Sequence, residues 1–106
     1  MTNGYKPSIM QPLDDQWRCY ICGRSDQKLD RHEIFGGAFR EKSKRHGLWV
    51  CLCHDRCHLY GVHRFPERYR WLKEEAQKKA MEHYGWTIAD WRVRYGRNYV
   101  EENNAE

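Results

Sequence analysis

The sequence predicts a small α+β domain that is stapled by zinc and carries extra helices at its C-terminal end. Three observations predict it. Residues 48–53 (LWVCLC) form the strongest strand pattern in the chain, rich in β-favouring side chains. Cys19-x-x-Cys22 and Cys53-x-x-x-Cys57 supply two cysteine pairs at metal-ligand spacing. From Phe65 onward, apolar residues recur at three- and four-residue steps, the period of a helix.

Composition sets the bounds. A chain of 106 residues has room for one small domain, and such a domain buries only about two-thirds of the surface its unfolded chain exposes. With 40% hydrophobic residues and a mean hydropathy of −1.07, the core is thin and a staple is expected. No apolar run approaches the roughly 18 residues that would span a bilayer. The N-terminus lacks the apolar centre of a secretory signal, so a cytoplasmic location is expected. Membrane proteins and secreted toxins are both poor readings. The net charge of +4 mildly favours a polyanionic partner.

The elements follow in order. Residues 1–16 contain Pro7 and Pro12 without periodicity and read as an irregular N-terminal arm. Residues 17–23 (WRCYICG) read as a zinc knuckle, a hairpin whose Gly23 permits the tight turn. Residues 29–35 (LDRHEIF) make a short strand ended by Gly36 and Gly37, and residues 40–46 a basic, polar connection. In the main strand, Leu48, Val50 and Leu52 share one face, while Trp49, Cys51 and Cys53 share the other. Pro66 suits a first helical position, and Phe65, Tyr69, Leu72, Ala76, Ala80 and Tyr84 make one stripe. Gly85 fits a left-handed cap; Thr87 with Asp90 is a capping box that opens a second helix through Trp91 and Tyr95, closed by Gly96. The domain spans 17–100, and the polar tail 101–106 is expected to fray.

Two constellations carry chemistry. Four thiolates from Cys19, Cys22, Cys53 and Cys57 on one tetrahedral zinc would join the knuckle to the region after the main strand. Cys51, His54 and His58 compete with the second pair for those vertices, and Cys51 reads best as a packed thiol. The bland reading is unrelated buried cysteines beside a redox Cys-x-x-Cys, yet no strand precedes that motif as in a thioredoxin-like pattern. The second constellation is histidine. His32 on the early strand, with His58 and His63 about one helical turn apart, can converge on a divalent metal. His46 reads as a solvated residue and His83 as a cation that complements a helix C-terminus.

These motifs together resemble the small phage and prophage HNH nucleases of the His-Me finger, or ββα-metal, superfamily. The resemblance runs through Cys19-x-x-Cys22-Gly23, residues 29–37 (LDRHEIFGG), Arg40-x-x-Ser43-x-x-x-Gly47-Leu48, Cys57-His58, His63 and residues 95–99 (YGRNY). It implies a β-hairpin and helix cupping one divalent ion (Mg, Mn, Ni or Zn), a structural zinc beside it, and added C-terminal helices. It also implies a metal-dependent endonuclease that nicks or cuts double- or single-stranded DNA with little sequence specificity, encoded by a phage or prophage. His58 and His63 match the last motif's metal ligands. The usual Asp-His or His-His pair is replaced by His32-Glu33. By position His32 matches the ligand and Glu33 the base, although His32 is chemically the better water activator. The middle asparagine is absent, because no Asn lies between Asn3 and Asn98. Arg31 would steady the scissile phosphate or pair with Asp30. Arg40, Lys42, Lys44 and Arg45 would track the DNA backbone or form a solvated face. The tyrosines and tryptophans of the C-terminal helices read as packing residues rather than base-stacking platforms. The competing reading is a non-catalytic zinc-knuckle module of the same fold that binds nucleic acid or protein.

Overall fold

Two short strands, β1 (Leu29–Glu33) and β2 (Trp49–Cys53), pair antiparallel in a computed structural model that describes residues 4–100. Leu29 stands opposite Cys53 and His32 opposite Val50. All five residues of β2 are buried, so the alternation expected from its sequence separates two covered faces, not an inner and an outer one. Six helical segments among the described residues complete the α+β architecture after β1: a 3₁₀ turn (Gly37–Phe39), α1 (Arg40–His46), a π-helix (His54–Val62), a second 3₁₀ turn (Pro66–Tyr69), α2 (Arg70–Tyr84) and α3 (Ile88–Tyr95). No helix among the described residues is long and apolar enough to cross a membrane.

From Gly4 onward the N-terminal arm is irregular apart from a 3₁₀ turn at Leu13–Asp15, but it is tied to the sheet by hydrogen bonds. It covers the open edge of β2. The Ser8 hydroxyl donates to the Trp49 carbonyl at 2.7 Å, and the Cys51 N–H donates to Gln11 Oε1 at 2.8 Å. Farther along, the Tyr20 N–H donates to the Cys51 carbonyl at 2.8 Å. Side chains and one loop thus satisfy backbone groups that a third strand would otherwise take, which protects the edge from foreign pairing. Gln11 is fully buried, and its amide donates to the Asp15 and Arg18 carbonyls at 2.9 and 3.0 Å.

Three expectations about the elements before α2 need correction. Residues 40–46 are not a connection but α1. Its inward residue is Ser43, whose hydroxyl bonds both the N–H and the carbonyl of Phe35, so no apolar period marks the helix. Gly47 ends α1 at φ 72°, and a Cβ there would stand 2.3 Å from the Pro7 carbonyl oxygen, so both conformation and space demand glycine. The early strand stops at Glu33 because Ile34 and Phe35 turn into the core, where the Phe35 ring lies 5.1 Å from those of Trp91 and Tyr95. Residues 17–23 form a turn closed by Gly23 N–H to the Cys19 carbonyl at 2.9 Å, without strand pairing.

The C-terminal expectations hold. Leu72, Ala76 and Ala80 are buried along α2, Gly85 takes the left-handed cap at φ 70°, and Thr87 with Asp90 forms both halves of a capping box. Phe65 and Tyr69 precede α2, and Tyr84 is 38% exposed with its hydroxyl on the His46 carbonyl. His46 is not solvated. It is half-buried, bonds the Tyr95 hydroxyl at 2.8 Å and packs among Tyr84, Trp86 and Tyr95.

Candidate metal centres

The turn at 19–22, the end of β2 and the first turn of the π-helix bring Cys19, Cys22, Cys53 and Cys57 together, with their sulfurs all within 4.8 Å of one another. Bonds of about 2.3 Å to a tetrahedral zinc set sulfurs roughly 3.8 Å apart. Cys22 Sγ and Cys53 Sγ stand 3.8 Å apart, and all four thiols are free of disulfides. Burial pushes the Cys19 thiol up, but N–H groups of Cys22, Cys53 and Ile21 outweigh it and bring it down to about 7. Burial raises Cys53 and Cys57, the latter strongly, so these buried sulfurs resist ionisation until a cation joins them. The donor set fits zinc. Cys51 lies outside the cluster as a buried thiol, and His54 bonds Asp30 instead.

That second site begins with alternation on β1. Asp30 and His32 are two residues apart and share a strand face, the one turned toward the π-helix. His32, His58 and His63 place ligand nitrogens within 4.8 Å of one another. On an α-helix, residues five apart are about 140° out of line. The i→i+5 turn, closed by His63 N–H to the His58 carbonyl at 3.1 Å, brings His63 back over His58. Their Nε2 atoms stand 3.0 Å apart.

Asp30 organises the site. Its Oδ2 accepts from His58 Nδ1 at 2.8 Å and from His54 Nδ1 at 2.6 Å. Burial opposes its ionisation, but these two bonds win and hold the carboxyl below its ordinary range. An ionised carboxylate only accepts, so the His58 proton sits on Nδ1 and the Nε2 lone pair faces His63. Desolvation, reinforced by His58, His63 and Lys73, lowers His32 to about 3; burial and His58 also lower His63, against the pull of Glu33. Three imidazoles whose ring nitrogens converge in this way fit a divalent cation.

A cleft of about 670 Å³ opens over the histidines, and Arg31, Glu33, Arg40 and Lys73 line it as well. Glu33 is half-buried, takes an ion pair from Arg40 Nε at 3.1 Å and accepts a hydrogen bond from the Tyr5 hydroxyl. Arg31 does not pair with Asp30. It lies on the opposite strand face, 4.8 Å from the Tyr5 ring centroid and 5.3 Å from that of Trp49. The basic residues of α1 diverge: Arg40 lines the cleft, Lys42 donates to the Arg94 carbonyl at 2.7 Å, Lys44 pairs with Glu41, and Arg45 is exposed beside Lys6 and His83. Asp30 and Lys73 are the site residues that the sequence reading missed. The Asp-x-His alternation signals the first, but nothing local signals the second.

Protonation gives a direct check on this geometry. His32 has a folded pKa of about 3 against about 6.5 unfolded, so below 6.5 the unfolded chain binds the proton first. Stability is therefore full above about pH 6.5 and falls as the pH drops toward 3. Urea midpoints measured without added divalent cation should fall over that window, and His32→Gln should flatten the fall relative to wild type.

The chain matches no protein-family model, no curated protein and no solved structure.

Proposed function

We propose that this chain is a metal-dependent endonuclease of the HNH kind, hydrolysing phosphodiester bonds in DNA with little sequence specificity. The carrying observation is the convergence of His32, His58 and His63 at the floor of a cleft whose walls carry Arg31, Arg40 and Lys73. Nitrogen ligands beneath a cationic wall suit an anion that is to be both bound and polarised. When bound, a divalent cation would supply Lewis-acid stabilisation of the charge that builds on the phosphate and on the leaving oxygen.

The residues divide the remaining work. His58 and His63 hold through Nε2, with Asp30 fixing the His58 tautomer and ring. His32 acts as the third ligand: a group lowered to about 3 is a poor proton acceptor near neutral pH, whereas ligation asks only for its lone pair. Glu33 lines the same cleft and is the carboxylate placed to take the water proton. In this reading Arg40 leaves Glu33 for a phosphate oxygen, which frees the base as the substrate docks. Zinc held by the four cysteines would be structural and take no part in the chemistry.

Nicking of supercoiled plasmid tests the reading. Purified protein with added Mg²⁺, Mn²⁺ or Ni²⁺ should convert it to the open circle, and a chelator should stop it. DNA binding without cleavage under every cation would favour the binding-module reading instead. The bond of Glu33 to both Arg40 and Tyr5 is the observation on that side.

A further inference from the structure

A second cationic cluster lies beside the histidine cleft. On α2, Arg70, Lys73 and Gln77 stand three and four residues apart and share a face. Gln77 is fully buried, and its amide clips the last described segment to that face: it donates to Asn98 Oδ1 at 2.7 Å and accepts from the Tyr99 N–H at 2.7 Å. The Trp91 indole adds a bond to the Arg97 carbonyl at 2.8 Å. The consequence is a gathering of like charge. Arg70, Arg97 and Lys73 place their cationic groups 5.5, 5.1 and 5.6 Å from the Tyr99 ring centroid. Of the three, only Arg70 has an ion-pair partner among the described residues, Glu74 at 3.2 Å. One aromatic face does not offset the repulsion of three cations, and burial with Arg97 and Arg70 already lowers Lys73.

We propose that Arg70, Lys73 and Arg97 form a phosphate subsite that holds the nucleic acid backbone at a phosphate other than the one over the histidines. The inference rests on the nuclease reading for the identity of the strand. Lys73 belongs to both features, since it lines the histidine cleft and faces Tyr99, so an anion at the cluster is continuous with one in the cleft. A phosphodiester chain fits this continuity, because its charges repeat along one strand. An acidic peptide has no reason to run on toward the metal ligands.

The test is fluorescence anisotropy with a fluorescein-labelled single-stranded DNA 12-mer, on zinc-loaded protein without added divalent cation, over a salt series. Arg97→Gln should raise Kd several-fold, and Lys73→Gln/Arg97→Gln should raise it further and lower the salt slope by about 1. Arg97→Lys should keep most of the affinity, because a phosphate contact needs the charge. An unchanged affinity and slope in folded Arg97→Gln would overturn the subsite, as would polyglutamate competing as well as DNA of equal charge. Cleavage is not needed for this readout. A wild type that never nicks DNA but shows the slope change would sink the nuclease reading and keep the subsite, and nicking with an unchanged slope would do the reverse.

Discussion

Cys57→Ser is expected to leave the protein without zinc and largely unfolded at room temperature. The wild type should carry about one zinc per chain, held by Cys19, Cys22, Cys53 and Cys57. The ligands come from the 19–22 turn, the end of β2 and the π-helix, so the ion joins segments far apart in the sequence. Metal binding at such a site is part of the folding free energy, on the order of 10 kcal/mol in small zinc modules. The whole stability of a small domain is only about 5–15 kcal/mol, and losing one thiolate is enough to cancel it. Cys51→Ser is the control. It removes a buried thiol outside the cluster and should cost about 1–3 kcal/mol while zinc content stays at one. Native mass spectrometry and circular dichroism read both effects. Well-folded wild type without zinc, or a Cys19–Cys22 disulfide in the purified protein, would overturn the site.

The same residues show what a sequence can disclose. The cysteine pairs are legible because each works through local spacing, and a metal then imposes the long-range contact. The C-terminal helices are legible through Leu72, Ala76 and Ala80, and through caps that lie within a few residues of the helices they end. The π-helix is not legible. Its buried residues are Cys57, Gly61 and Val62, too few to mark an apolar stripe of any period. The pairing of His58 with His63 depends on that wider turn, so spacing alone suggests their meeting but cannot explain it. α1 hides because a serine occupies its inner face. The basic residues at 40–45 read as one patch in sequence, yet a helix that packs on its neighbours sends Lys42 to the Arg94 carbonyl and leaves Arg40 with Glu33. Charge in a line is not charge on a face.

The Asp30 carboxylate shows how burial and pairing set the balance in the histidine cleft. Desolvation alone would raise it and weaken its grip on His58, but two imidazole donors outweigh that cost. Among the described residues His32 has no carboxylate partner, and burial, reinforced by His58, His63 and Lys73, lowers it to about 3. Two groups two residues apart on one strand are thus both lowered, with opposite consequences for charge: one stays an anion that orients a ligand, the other stays neutral and can be one.

That separation yields the sharpest expected result at the site. His58→Ala should abolish nicking while leaving zinc content and fold intact, because the ring contributes a ligand and an Asp30 contact but no core packing. His32→Ala should shift the divalent-cation requirement to higher concentrations, about 10- to 100-fold on the scale of lost metal-site interactions, with some rate recovered at saturating metal. Glu33→Gln should do the opposite. It keeps the shape but loses the proton acceptor and the charge that pairs Arg40, so the maximal rate should fall by about 10²–10⁴ with the metal requirement nearly unchanged. If His32 were the base instead, the roles would invert: the wild-type rate would follow an imidazole titration near pH 6–7, Glu33→Gln would cost far less than His32→Ala, and added imidazole would restore activity to the latter. A pKa of about 3 for His32 argues against that inversion, since the group would hold its proton only in acid. Full nicking by His32→Ala would overturn both schemes, because either one needs that ring at the meeting point of His58 and His63.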